Sequence, residues 1–300
     1  MTTKTRNWLI AIFILAFPFI VFLAFLLSGT TEPLPPLAPL PNPNGYDDLV
    51  KAGEMVSSNT WNFERMDEEQ LRETVSANAE ALPMARVAFS NQCRVPLQFS
   101  KAYSTNHIQD LITLKHLAQA FAAEGRLAEM EGHTRNAAKS YLDLFHMGNE
   151  SARGGVVIDQ LVGTAIEAIG VANLQKLVGQ LDAKSCRETA VTLETLDAQR
   201  QTWNDVMQQE RGWSWRTYSS LQEKITALMM HDELKKLQQH AEEKFNKQQM
   251  KTRQLAVDLA ARAYELDKGK PPASIANLVP EYLQAIPQDP FTGTNLVYSP

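Results

Sequence analysis

The chain is 300 residues long with a formal charge of −5, which leaves no electrostatic footprint for nucleic acid. Glycine is sparse, and Ala, Leu, Gln, Glu and Lys dominate long stretches, a helix-forming composition. About 255 residues lie beyond the first 44, enough to bury one large core or two small ones.

Trp8 to Leu27 is a run of 20 residues without a charge. A hydrocarbon core of ~30 Å needs about 20 apolar residues at ~1.5 Å each, so a transmembrane helix is expected at residues 8–27. Lys4 and Arg6 precede it and Glu32, Asp47 and Asp48 follow. The positive-inside rule puts the N-terminus in the cytoplasm and residues 30–300 outside. A cleaved signal peptide is the alternative, with a shorter apolar region and a clearer small-residue site. Residues 29–44 carry six prolines and read as an extended spacer of ~3.1 Å per residue.

Residues 45–253 are expected to form an all-helical domain. Gly45 to Ser58 starts it, with Asp47 and Asp48 suited to a first turn. Asp67 can cap a second helix reaching Phe89, bent or split at Pro83. Thr105 to Glu131 is amphipathic, with Ile108, Leu111, Ile112, Leu114, Leu117 and Phe121 on a broad apolar face. Thr134 to Gly148 follows, with Tyr141, Leu144 and Phe145 inward. Phe121, Gly125, Gly132, Ala137 and Tyr141 resemble a single tetratricopeptide-like hairpin at about 118–148, one repeat where arrays need about three. Any antiparallel helix pair is the alternative.

Gly154 to Leu181 is the most apolar stretch after the anchor, but Asp159, Glu167 and Lys176 make it a core helix instead of a second span. Ser185 to about Gln209 reads as the next helix. Arg211, Trp213, Trp215 and Arg216 then have the composition of a binding hot spot, or of a loop tucked onto the core by cation–π contacts. Residues 232–253 are strongly polar and read as a protruding arm for partner docking.

Residues 254–300 run from a helix through Pro271-Pro272 to a proline-rich return. Tyr282, Leu283, Phe291 and Tyr298 are expected to pin this tail to the core. Leu278, Tyr282, Leu283, Pro287, Asp289, Pro290, Phe291, Gly293 and Tyr298 resemble the post-helix segment of the major pseudopilin of type II secretion. The tail also resembles that of uncharacterised membrane-anchored bacterial envelope proteins. The likeness covers about a sixth of the chain. A prepilin cleavage site is missing, the module lies far from the span, and the chain stops where pseudopilins continue into a calcium-binding loop. Neither polymerisation nor calcium binding is therefore implied.

The two cysteines, Cys93 and Cys186, are expected to pair in an oxidising compartment. Such a bond would close a loop of about 90 residues and contribute ~4 kcal/mol in the chain-entropy model. The alternative is two buried, unpaired thiols. The six histidines form no His-Glu-x-x-His pattern, and there is no Gly-x-Ser-x-Gly elbow, phosphate loop or dinucleotide fingerprint. Asn149-Glu150-Ser151 matches part of a lytic transglycosylase pattern, but the downstream Gly-Leu-Met-Gln element is absent. No catalytic residue, metal, cofactor or small-molecule ligand is expected. The reading is a membrane-anchored extracytoplasmic scaffold that uses the lipid bilayer through residues 8–27 and other envelope proteins as partners. The alternatives are an envelope enzyme with an unrecognised site, of the cell-wall glycan class, or a structural part of a secretion or pilus-like assembly.

Overall fold

The computed structural model describes residues 39–298 except 101, 219, 221, 224, 225, 227 and 228, and leaves the side chains of 58–61, 104 and 231 undescribed. The expected anchor at 8–27 and most of the spacer lie outside the described residues. Asn44 sets the start of the folded chain. Its amide exchanges two hydrogen bonds with the Arg94 backbone, both 2.9 Å, and its carbonyl oxygen accepts from the Tyr46 N–H.

The described residues contain nine α-helices, two short 3-10 turns and no strand. They are α1 (Gly45–Glu54), α2 (Glu68–Ala77), α3 (Ala81–Ala88), α4 (Tyr103–Met130), α5 (Thr134–Ala152), α6 (Val157–Leu177), α7 (Ala183–Ala198), α8 (Trp203–Thr217) and α9 (His231–Lys268). A 3-10 segment, Ser58–Arg65, links α1 to α2, and another, Ile275–Leu278, lies in the tail.

Local chemistry explains most boundaries. Asp67 and Gln70 form the capping box that opens α2. The segment from Asp67 to Phe89 is split, with α2 ending at Ala77 and Pro83 falling in the first turn of α3, where a missing N–H costs nothing. Gly132 makes the turn between α4 and α5 at φ +75°, a region that only glycine enters without strain. The helix expected from Ser185 to Gln209 is two helices. Asp182 caps α7, and Thr202 with Asp205 builds a new capping box that starts α8.

The three helices α4, α5 and α6 pack successively, α7 lies against α5, and α9 lies across α6 and α7. A Cβ on Gly163 of α6 would collide with the Gly148 carbonyl of α5, so these two backbones touch. One main core gathers Leu114, Phe121, Tyr141, Phe145, Leu174, Leu193, Leu255 and Leu259. Helices α1 to α3 cover one side of α4. Ile108 and Ile112 were expected on the buried face of α4 but point outward, because His107, Leu111 and Leu114 occupy the inner stripe.

Val157–Leu177 is long and apolar enough to cross a membrane by length and composition, yet half of its most apolar stretch is buried inside the fold. Helix α9 runs unbroken through the expected boundary at residue 254. Residues 232–240 are exposed apart from the half-buried Gln238, but Ala241, Phe245, Gln248 and Thr252 are buried, so the polar arm is shorter than its composition suggests.

Candidate functional site

The tail returns onto α9 and α7. Leu278, Tyr282 and Leu283 are fully buried, each contributing roughly 1.5–3 kcal/mol by removal from water. Tyr282 donates to Asp267, sits edge-on to Tyr264 and lies beneath the Arg187 guanidinium. Tyr298 is half-buried against the same core. Phe291 departs from expectation and is half exposed. The Asp289 carboxylate accepts from the Phe291 and Thr292 N–H groups, and the resulting turn carries Phe291 at its outer edge. A single antiparallel bridge joins Gln288 to Asn295 across this turn.

Arg211, Trp213, Trp215 and Arg216 lie on the last turns of α8, not in a loop. Trp213 is turned inward. It packs on Tyr103, and its indole N–H donates to the Gln98 carbonyl at 3.0 Å. Arg216 reaches over the Phe99 ring. Trp215 is 40 % exposed. This helix end is thus partly tucked and partly open. Tyr218, Met229, Met230, Leu234 and Leu237, which follow in the chain, are also exposed.

Cys93 and Cys186 are both free and buried in the structure, in place of the expected disulfide. Each thiol has its own surroundings. Cys93 lies near the Asn91 carbonyl, and Cys186 lies near the carbonyls of Val178 and Leu181. Glu150 does not stand free for catalysis, since Arg153 grips both of its carboxylate oxygens.

Two buried polar clusters were not legible in the sequence. In the first, Asp159 sits in the first turn of α6. One of its oxygens accepts from the Val156 N–H at 2.7 Å and the other meets His107 Nε2 at 2.5 Å. The His107 ring stacks against Tyr103 on one element and Tyr46 on another. Burial pushes the imidazole down, but the hydrogen bond and charge of Asp159 outweigh it, and its proton is held more tightly than usual. The hydroxyls of Tyr46 and Tyr103 have no hydrogen-bond partner among the described residues. His107 and Asp159 have the chemistry of an acid–base dyad, but with 3 % and 1 % exposure they are closed to substrate.

In the second cluster, Arg200 donates to Glu167 at 2.6 Å and to Asp197 at 3.3 Å. Its guanidinium lies between the rings of Phe145 and Phe245. Arg253 donates to Asp197 from α9 at 2.7 Å. Burial pushes Glu167 up to about 7, with Arg200 pulling the other way. The cluster ties α6, α7 and α9 together. No group of three or more potential metal ligands occurs among the described residues.

Comparison with protein-family models, curated proteins and solved structures finds no match to this chain. Its function is therefore argued from its own residues. The sequence signals for the two clusters were Asp159 and Glu167, acids inside the most apolar helix. Their partners, His107 and Arg200, come from 52 and 33 residues away, and no local spacing marks them.

Proposed function

We propose that the chain is a single-pass bacterial inner-membrane protein, anchored by residues 8–27, whose extracytoplasmic helical domain docks other envelope proteins. The observation that supports this reading is a set of exposed apolar side chains at the end of α8 and the start of α9. Trp215, Tyr218, Met229, Met230, Leu234 and Leu237 are all open to solvent within one stretch of chain. Aromatic residues and methionine are enriched at protein interfaces, whereas a monomer ordinarily covers them. The buried acid–base groups, by contrast, are engaged with one another.

In this reading α4 and α5 act as one tetratricopeptide-like hairpin. Gly125 supports the likeness, because any side chain there would enter the Tyr141 ring, so the two helices need a small residue at their contact. In this reading the proline-rich tail is a packed module, with the buried Tyr282 and Leu283 as its anchors.

Photo-crosslinking amino acids placed at 215, 234 and 237 of the full-length membrane-bound protein test the proposal. Position 87, where Val87 is 65 % exposed on α3, serves as the control. The expected result is one shared envelope-protein adduct at the first three positions and none at 87. Equal labelling at all four positions, or no adduct at any, refutes the docking surface.

A further inference from the structure

Helix α9 carries one stripe along most of its length. At about 100° per residue, Met230, Leu234, Leu237, Ala241, Phe245 and Thr252 fall within an arc of about 80°. Met230 belongs to it because its carbonyl accepts from the Leu234 N–H at 2.9 Å and opens the first turn. From Ala241 onward the stripe is buried, with the Phe245 ring against Trp203. Before Ala241 the same stripe is bare, with Met230, Leu234 and Leu237 exposed by 44 %, 40 % and 66 %. The bare part thus continues a face that the fold already uses for packing. Its steps of four, three and four residues from Met230 to Ala241 are those of a coiled-coil seam.

The charges beside this seam select its occupant. Glu233, Lys236 and His240 lie along one flank of it, all exposed. Among the described residues Glu233 and Lys236 form no ion pair, and His240 meets Glu243 at 3.9 Å. Lay two copies of α9 antiparallel, with Leu234 of each on Leu237 of the other. Glu233 of each copy then comes beside Lys236 and His240 of the other, and the two-fold symmetry makes the match twice. A parallel pair in register sets Glu233 opposite the uncharged Gln238 instead. The flank is therefore complementary to itself in the antiparallel sense. We propose that α9 pairs antiparallel with α9 of a second copy of this chain, through Met230, Leu234 and Leu237. The inference rests on the docking reading in taking this stripe as a covered surface, and it names what covers the α9 part of it. The contact is small for a free dimer, and a shared membrane anchor supports it by raising the local concentration.

The experiment is disulfide trapping of the full-length chain in whole cells. Leu234→Cys and Leu237→Cys are placed on two co-expressed copies with different tags and oxidised with copper phenanthroline. The wild-type chain, whose two cysteines are buried, is the blank. The bond between 234 of one copy and 237 of the other is expected to form at least about fivefold more than 234 to 234 or 237 to 237, since only that pair brings the Cα atoms within about 7 Å. Glu233→Lys or Lys236→Glu in both copies sets like charges opposite each other twice and should cut the bond at least about fivefold. Glu233→Lys in one copy with Lys236→Glu in the other should restore it. Like-numbered bonds as abundant as the mixed one, no bond at all, or no response to the charge variants overturns the proposal. An adduct of a different protein at 234 and 237 without the mixed disulfide keeps the docking surface and removes the self-pairing. Absence of both removes the two readings together.

Discussion

Replacing Arg200 by methionine removes the cation shared by Glu167 and Asp197. Asp197 keeps Arg253 and Gln249, so the orphaned charge is Glu167, which is 2 % exposed. Breaking a buried pair from one side costs about 3–5 kcal/mol. For a domain of this size ~1 kcal/mol corresponds to roughly 2–4 °C, so Tm is expected to fall by about 6–20 °C. The deficit also depends on pH. Glu167 titrates near 7 in the folded chain against 4.5 when unfolded, so the native state binds the extra proton between those values. The stability it contributes is present in acid and is lost as pH rises across that interval. Without Arg200 the folded value moves higher still, and the loss extends further. Melts followed by circular dichroism at 222 nm should show a larger Arg200→Met deficit at pH 8 than at pH 5, by about 1.4 kcal/mol for the one pH unit above 7. The double variant Glu167→Gln with Arg200→Met should recover at least half of the loss at pH 8, since it removes the unpaired charge. An equal deficit at both pH values, or a double variant no better than the single, refutes this account of the cluster.

Three further outcomes are expected. Gly163→Ala should destabilise by about 1–3 kcal/mol in urea titrations, because α6 must move off the Gly148 carbonyl, and a neutral effect would show that the two helices are not in backbone contact. His107→Gln should cost most below pH 6.5 and progressively less above it. The folded imidazole holds its proton beyond the unfolded value, so its contribution is complete below 6.5 and disappears as pH rises through the folded pKa; a cost independent of pH argues against the Asp159 pairing. Both cysteines should react with Ellman's reagent in denaturant and only slowly in the native chain, since burial pushes Cys186 up to about 11 and Cys93 higher still, leaving little thiolate at pH 8. Absence of free thiols in denaturant would restore the disulfide.

Helix content was legible because it is written locally. Asp67 and Asp182 sit at caps, Gly132 at a turn and Pro83 in a first turn, and each acts on residues within one helical turn of itself. Register was less legible. Ile108 and His107 are neighbours, and hydrophobicity alone puts the isoleucine inside. The structure buries the histidine instead, because Asp159 and two tyrosine rings receive it. A buried polar residue is decided by the partner that satisfies it, and that partner is distant in sequence.

The same reasoning explains why the polar stretch of α9 misleads. Gln248 and Thr252 are buried on the face that carries Ala241 and Phe245, while Leu237 and Leu234, about one and two turns before Ala241, are exposed. Composition would invert that order. The difference lies in what α9 meets. Its C-terminal two-thirds run along α6 and α7, where Arg253 joins Asp197 and the Phe245 ring meets Trp203, and its first turns extend past these neighbours. Leucines exposed where a helix has outrun its own core cost the isolated domain solubility and add nothing to its packing. In the proposed docking reading a partner protein covers them, which is why positions 234 and 237 carry the crosslinking test.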